Sequence, residues 1–207
     1  MSSLKMHIAI SEEIRKQFNL SNDFLLGAIL PDIIKLLRKE RITSHFEIDN
    51  QVDLEKFKKM QTNINSDLVL GYYAHLIEDK IWFESYMLNK YCILPDYTDD
   101  KLYSDYSYVD ELMYKKLNLD TLKIKKDLLS VLKTVNINDI CLMEFSNKYI
   151  LNKDEIRLKI EEVWKDYPTT EENYFFTQTD SEEYYKLAVT TVNNYISKNI
   201  NIVNVKD

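Results

Sequence analysis

Glycine occurs only twice and proline three times in 207 residues. So few turn formers leave little with which to build the tight connections of an all-β or α/β fold. Leu, Lys, Glu, Ile and Asn fill long periodic stretches instead, so the chain is expected to be all-α, a single-domain multi-helix bundle over 1–207. Within it, a metal-site region between N-terminal helices is expected at 7–90 and a helical C-terminal half at 109–199. The two cysteines, Cys92 and Cys141, lack CxxC spacing, which excludes a disulfide framework and fits thiols in a reducing compartment. No uninterrupted apolar run approaches the roughly 20 residues that span a bilayer. The N-terminus MSSLKMHIAISEEIRK has no secretory pattern, and a cytoplasmic, soluble protein is expected. A formal charge of −7 argues against nucleic acid or an anionic membrane as partner. The basic residues Lys35, Arg38, Lys39 and Arg41 read as a solvated helix face.

Motifs are missing as well. There is no glycine-rich phosphate loop, GxSxG elbow, HExxH or adjacent His-Asp pair. Cys92 has no histidine near it in sequence, so nucleophilic catalysis by it has no support. The Asp- and Tyr-rich stretch 93–110, expected as a loop, lacks the glycine and the terminal glutamate of a calcium loop.

With 45% hydrophobic residues, the chain can bury a sizeable core, and its three histidines all fall in apolar surroundings. In NINSDLVLGYYAHLIEDKIWFESYMLNKY, Asn65 or Ser66 caps the longest helix of the first half. Leu68, Tyr72, His75, Asp79, Trp82 and Tyr86 follow at steps of four and three, an inward stripe with two polar residues set in it. His75 and Asp79 leave one helix face a turn apart, which is metal-ligand spacing. A buried carboxylate needs a partner, a hydrogen bond or a cation.

Upstream stand His7, Asp32 and His45. Residues 7–17 read as a short N-terminal segment with Ser11 as N-cap and Glu12 and Glu13 in the first turn after it, and His7 sits just before that cap. Asp32 follows Pro31, where a helix opened by Ser21 or Asn22 is expected to break or kink. His45 is placed in a loop or single turn. Gly27 and Gly71 lie on the helices that carry Asp32 and His75, and the helical cost of glycine, about 1 kcal/mol against alanine, predicts that these helices cross closely near the site. Beyond residue 109 four helices are expected, over 109–118, 120–134, 137–166 with a break near Asn152, and 181–199, with a second loop around Pro168. Trp164 and the tyrosines there read as packing.

The succession MHIAI, GAILPD, SHF and GYYAHLIEDKIW, over residues 7–82, resembles the zinc-dependent phospholipase C family, whose helical fold is shared with single-strand-specific zinc nucleases. The resemblance implies that Asp32, His45, His75 and Asp79 hold one metal and that His7 joins a bridging Asp79 at a neighbouring one. It implies a phospholipase C-like hydrolase of a small phosphoester, in which Asp32 is both ligand and proton acceptor. Zinc is the first expectation for the metal, with manganese, magnesium or iron as alternatives. The family's metal-binding N-terminal tryptophan and its later two histidines and glutamate have no counterpart here; Glu84 or acids of the 96–110 stretch stand as substitutes. Two other readings are a non-catalytic helical interaction protein with a structural or vestigial metal site, and a metal-free hydrogen-bonded pair of His75 and Asp79.

Overall fold

The computed structural model describes residues 3–38, 41–49, 51–140, 151–164 and 174–203. It is all-α: among the described residues, nine α-helices run from α1 (Leu4–Phe18) to α9 (Gln178–Val203), beside one two-stranded antiparallel hairpin, β1 (Glu47–Ile48) and β2 (Gln51–Val52). The chain packs into two compact units, each assembled from separate segments.

The first unit comprises Met1–Ile14, Ile77–Leu119 and Tyr167–Asp207. It holds most of α1, the end of α5 (Asp67–Trp82), a π-helical segment Phe83–Tyr91, α6 (Asp99–Lys116) and α9. Ser3, whose Oγ accepts from the Met6 amide at 2.9 Å, starts α1 in place of Ser11, which is buried in mid-helix together with Glu12. Trp82, Tyr86, Tyr91, Tyr106, Phe176 and Tyr184 form the aromatic core. The i→i+5 winding of the π segment keeps Tyr86 and Tyr91 on the buried side, five residues apart. Most of the stretch expected as a loop over 93–110 is α6. Thr98 caps it, Asp99 and Asp100 sit in its first turn, and Leu102, Tyr106, Val109 and Met113 make a buried stripe at steps of four and three.

The second unit comprises Arg15–Leu76 and Asp120–Asp166. In it α2 (Asn22–Arg38) packs on α3 (Arg41–His45), α7 (Thr121–Thr134) and α8 (Lys153–Val163). The break expected at Pro31 does not occur. Pro31 is buried and α2 continues through it, so the packed faces on either side outweigh the one backbone hydrogen bond that proline removes. Asp53 caps α4 (Leu54–Met60) and Asn152 caps α8, the latter where a break was expected. The start of the expected 137–166 helix is a 3-10 turn, Ile137–Asp139; its middle, with Cys141 and the ICLMEFSNKYIL stripe from residue 141 to 150, lies outside the described residues, as do Lys39 and Pro168. Arg38 and Arg41 face Glu155 and Glu47, in keeping with a solvated face.

Gly27 and Gly71 do meet. A Cβ on Gly27 would overlap the Leu68 carbonyl and stand 2.9 Å from the Tyr72 nitrogen, and one on Gly71 would overlap the Phe24 carbonyl and stand 3.0 Å from the Ala28 nitrogen. Helices α2 and α5 touch backbone to backbone there. With both glycines spent on this crossing, asparagine takes the left-handed position after a helix: Asn19 (φ 51°) closes α1 and Asn118 (φ 50°) closes α6, each followed by an amide that reaches back to a last-turn carbonyl.

Candidate metal centres

The glycine crossing sets up the second unit's centre. Gly71 lies one turn before His75 and brings α5 against α2, so that His75 Nδ1 reaches the carbonyl of Ala28, next to Gly27, at 2.7 Å. A carbonyl only accepts, so Nδ1 carries the proton and the neutral ring presents its lone pair at Nε2. Nε2 of His75 faces Nε2 of His45 at 3.2 Å.

His45 is the last residue of α3 and is held as tightly. Its Nδ1 lies 2.8 Å from Ser44 Oγ, and that hydroxyl directs its hydrogen to the Arg41 carbonyl at 3.3 Å. Tyr72, one α5 residue after Gly71, donates its hydroxyl to the Ser44 carbonyl. Burial and the nearby Asp32 charge both raise the Tyr72 pKa, so it stays a neutral donor. Phe46, in left-handed backbone conformation (φ 54°), stops α3 directly after His45; its ring meets Phe57 edge to face at 5.0 Å, and Phe57 stacks on Tyr72 at 5.3 Å. These rings lock the short turn, too short to hold by its own hydrogen bonds, onto α5.

Asp32 completes the group. Its Oδ1 lies 3.4 Å from His45 Nε2, and Asp32, His45 and His75 are buried, with ligand atoms all within 4.8 Å of one another. In a tetrahedral ion site with bonds of about 2.0–2.1 Å, neighbouring ligand atoms stand about 3.3–3.4 Å apart, close to the 3.2 and 3.4 Å found here. Two imidazoles and a carboxylate are also the donor set of a hydrolytic zinc site that keeps a position open.

The first unit has a centre of its own around His7, which is fully buried on α1. Nε2 lies 3.3 Å from Asp79 Oδ1, and Nδ1 lies 2.5 Å from Glu78 Oε2. Burial by itself lowers the His7 pKa, but the hydrogen bonds to Asp79 and Glu78, with the charges of both acids, raise it to about 10. Burial raises Glu78 to about 7 against the lowering contact with His7. The Tyr184 hydroxyl donates to the Glu78 carbonyl at 3.2 Å. Nearby in the same unit, Asp110 is buried, accepts from Ser3 Oγ at 2.6 Å, and is pushed up to about 7 by burial.

Thus each of the five residues read from the sequence is buried and faces another of the five, Asp32, His45 and His75 in one unit and His7 and Asp79 in the other. Of the suggested substitutes, Asp110 lies near the His7 centre, while Glu84 and Asp105 are engaged elsewhere. Glu84 is half-exposed and pairs with Lys80 at 2.8 Å, while Asp105 accepts the backbone amides of Tyr174, Phe175 and Phe176 at 2.6 to 2.7 Å. The added carboxylate is Glu78, which the sequence reading passed over. The signal was present in HLIED: an acid three residues after His75 and next to Asp79, still within the apolar run. The anchor Ala28 left no comparable sign, because a carbonyl carries no residue type. No family model, curated protein or solved structure matches the chain.

Proposed function

We propose that the protein is a metal-dependent hydrolase of small phosphoesters, similar to the zinc-dependent phospholipases C, and that Asp32, His45 and His75 form its working centre. One observation carries this reading. Two buried histidines have their Nδ1 atoms tied to Ala28 O and Ser44 Oγ and turn both Nε2 atoms toward each other and toward one carboxylate. Facing lone pairs repel unless a proton or a cation lies between them, and the added carboxylate favours the cation.

A divalent ion held there supplies Lewis acidity, strengthening water as an acid and offsetting charge on a phosphoryl oxygen. The residues do the rest. His45 and His75 are anchored at Nδ1 and turn Nε2 inward, so each neutral ring would offer its lone pair to the ion. Asp32 brings the single negative charge and, by its place beside His45, accepts a proton from an attacking water. Three protein donors of which one is anionic leave excess positive charge with a divalent ion, complementary to an anionic phosphoester.

The test is elemental analysis of protein purified without chelator, followed by reconstitution with zinc or manganese and a panel of phosphomonoesters, phosphodiesters and phosphocholine esters. Asp32→Asn keeps shape and is expected to lower metal content and remove hydrolysis. Bound metal with no hydrolysis in any member of the panel would favour a structural ion, and full activity of Asp32→Asn would overturn the assignment.

A further inference from the structure

The His7 centre contains a contact that the Asp32 centre lacks. Glu78 Oε2 approaches Nδ1 while Asp79 Oδ1 faces Nε2, so the imidazole is held between two carboxylates on opposite edges of its ring. His7 and Glu78 are fully buried and Asp79 is 1% exposed. A carboxylate accepts from the ring only where the ring carries a proton, so in the neutral form Glu78 holds that proton at Nδ1 and turns the Nε2 lone pair to Asp79. The other Glu78 oxygen, Oε1, is buried with no hydrogen-bond partner among the described residues. This acid has therefore been taken out of water for the sake of one imidazole nitrogen.

One divalent cation beside a neutral ring balances two ionised carboxylates, and unbalanced buried charge is costly. The 3.3 Å from Nε2 to Asp79 Oδ1 is long for a charge-assisted hydrogen bond, about 2.7–2.9 Å, and close to the edge of an ion site.

Resting on the metal-dependent reading above, we infer that Glu78 is a positioning residue: by holding His7 at Nδ1 it commits His7 Nε2 and Asp79 to one divalent cation, additional to the ion of Asp32, His45 and His75. A carboxylate behind a ligating imidazole both fixes its tautomer and makes it a stronger donor.

The full-length protein, stripped with chelator and titrated with zinc alone, tests this by calorimetry, elemental analysis and 15N spectra of the His7 ring. The parent is expected to take two ions. Glu78→Leu should weaken one of them by about 10- to 100-fold and release the ring into a mixture of tautomers, with the other ion unchanged. Glu78→Gln, whose amide oxygen still accepts from Nδ1–H, should keep the tautomer and recover part of the affinity; it carries the test if the Leu variant does not fold. One ion in the parent, lost in Asp32→Asn, would overturn the role of Glu78 and leave the Asp32 centre standing. Two ions held by both variants as tightly as by the parent would overturn it too. No ion in the parent would overturn both.

Discussion

At the Asp32 centre both imidazoles lean on neutral oxygens, Ala28 O and Ser44 Oγ, and meet a single carboxylate; at the His7 centre one imidazole leans on Glu78 and meets a second carboxylate, Asp79. Helix α5 supplies residues to both, His75 to one and Glu78 and Asp79 to the other. The difference lies in charge. Two carboxylates flank His7 and raise its pKa to about 10. His45, His75 and the single carboxylate of Asp32 keep a net positive charge once a divalent ion is added, which suits chemistry on an anion. The His7 set closes to neutrality, which suits holding an ion in place.

That contrast predicts unequal losses. His75→Ala should remove one ion and lower phosphoester hydrolysis by about three orders of magnitude or more, the scale of losing a Lewis acid worth several kcal/mol. His7→Ala should remove the other ion and cost only about tenfold. Steady-state rates on the same substrate, with metal content measured on the same samples, decide it; equal losses would erase the distinction between a working centre and a holding one.

The next loss in size is at the helix crossing beneath the Asp32 centre. Gly71→Ala pushes a Cβ into the Phe24 carbonyl, and backbone cannot swing aside as a flexible side chain can. A destabilisation of about 3 kcal/mol is expected, at the upper end for overpacking, read as a lower denaturant midpoint. The ion of the Asp32 centre should go with it, because the same contact brings His75 to Ala28. A variant with parent stability and metal content would show that the crossing does not set the site.

How far this was legible follows from what sequence records. Spacing gave the α5 stripe, because every fourth or third residue from Leu68 to Tyr86 had to face one way, and the two glycines announced a close crossing by being so few. The end of α6 falls in the helix expected over 109–118, but its start was hidden because its tyrosines and aspartates look like loop composition, while its stripe of Leu102, Tyr106, Val109 and Met113 is thin. Pro31 does not break α2, since proline's local penalty is small against the buried faces of that helix. The partition of the candidate ligands was unreadable for another reason: which nitrogen of a ring is tied, and by what, depends on groups brought from other helices, the Ala28 carbonyl for His75 and the Glu78 carboxylate for His7.

The His7 unit should also respond to pH in its own way. Asp110 ionises near 3.8 when unfolded and near 7 when buried in the fold, where burial outweighs the Ser3 hydrogen bond and the charges of Lys5 and His7. Between those values the folded chain binds more protons than the unfolded one, so this group's contribution makes stability fall as pH rises from about 4 to about 7 and level off above. Asp110→Asn, whose amide oxygen can still accept from Ser3, should flatten that slope. Relative to the parent it should gain about 4 kcal/mol between pH 4 and 7, measured by denaturant unfolding of chelator-treated protein. An unchanged slope would show that Asp110 is ionised in the fold.

The smallest effect separates positioning from stability at the Asp32 centre. Tyr72 donates to the Ser44 carbonyl and carries no ligand atom in the group. Tyr72→Phe keeps the stack on Phe57 and removes only the hydroxyl, so about 1 kcal/mol of stability should be lost, the net value of one hydrogen bond with a buried acceptor left behind. Metal affinity should fall by about tenfold, at the low end of what is lost when a group behind a ligand is removed, because the short α3 turn that ends in His45 loses its tie to α5. The ion of the His7 centre should not change. If Tyr72→Phe costs stability and leaves both ions at parent affinity, the turn is held by Phe46 and Phe57 alone; if it weakens both ions equally, the two centres are not independent and the comparison between them fails.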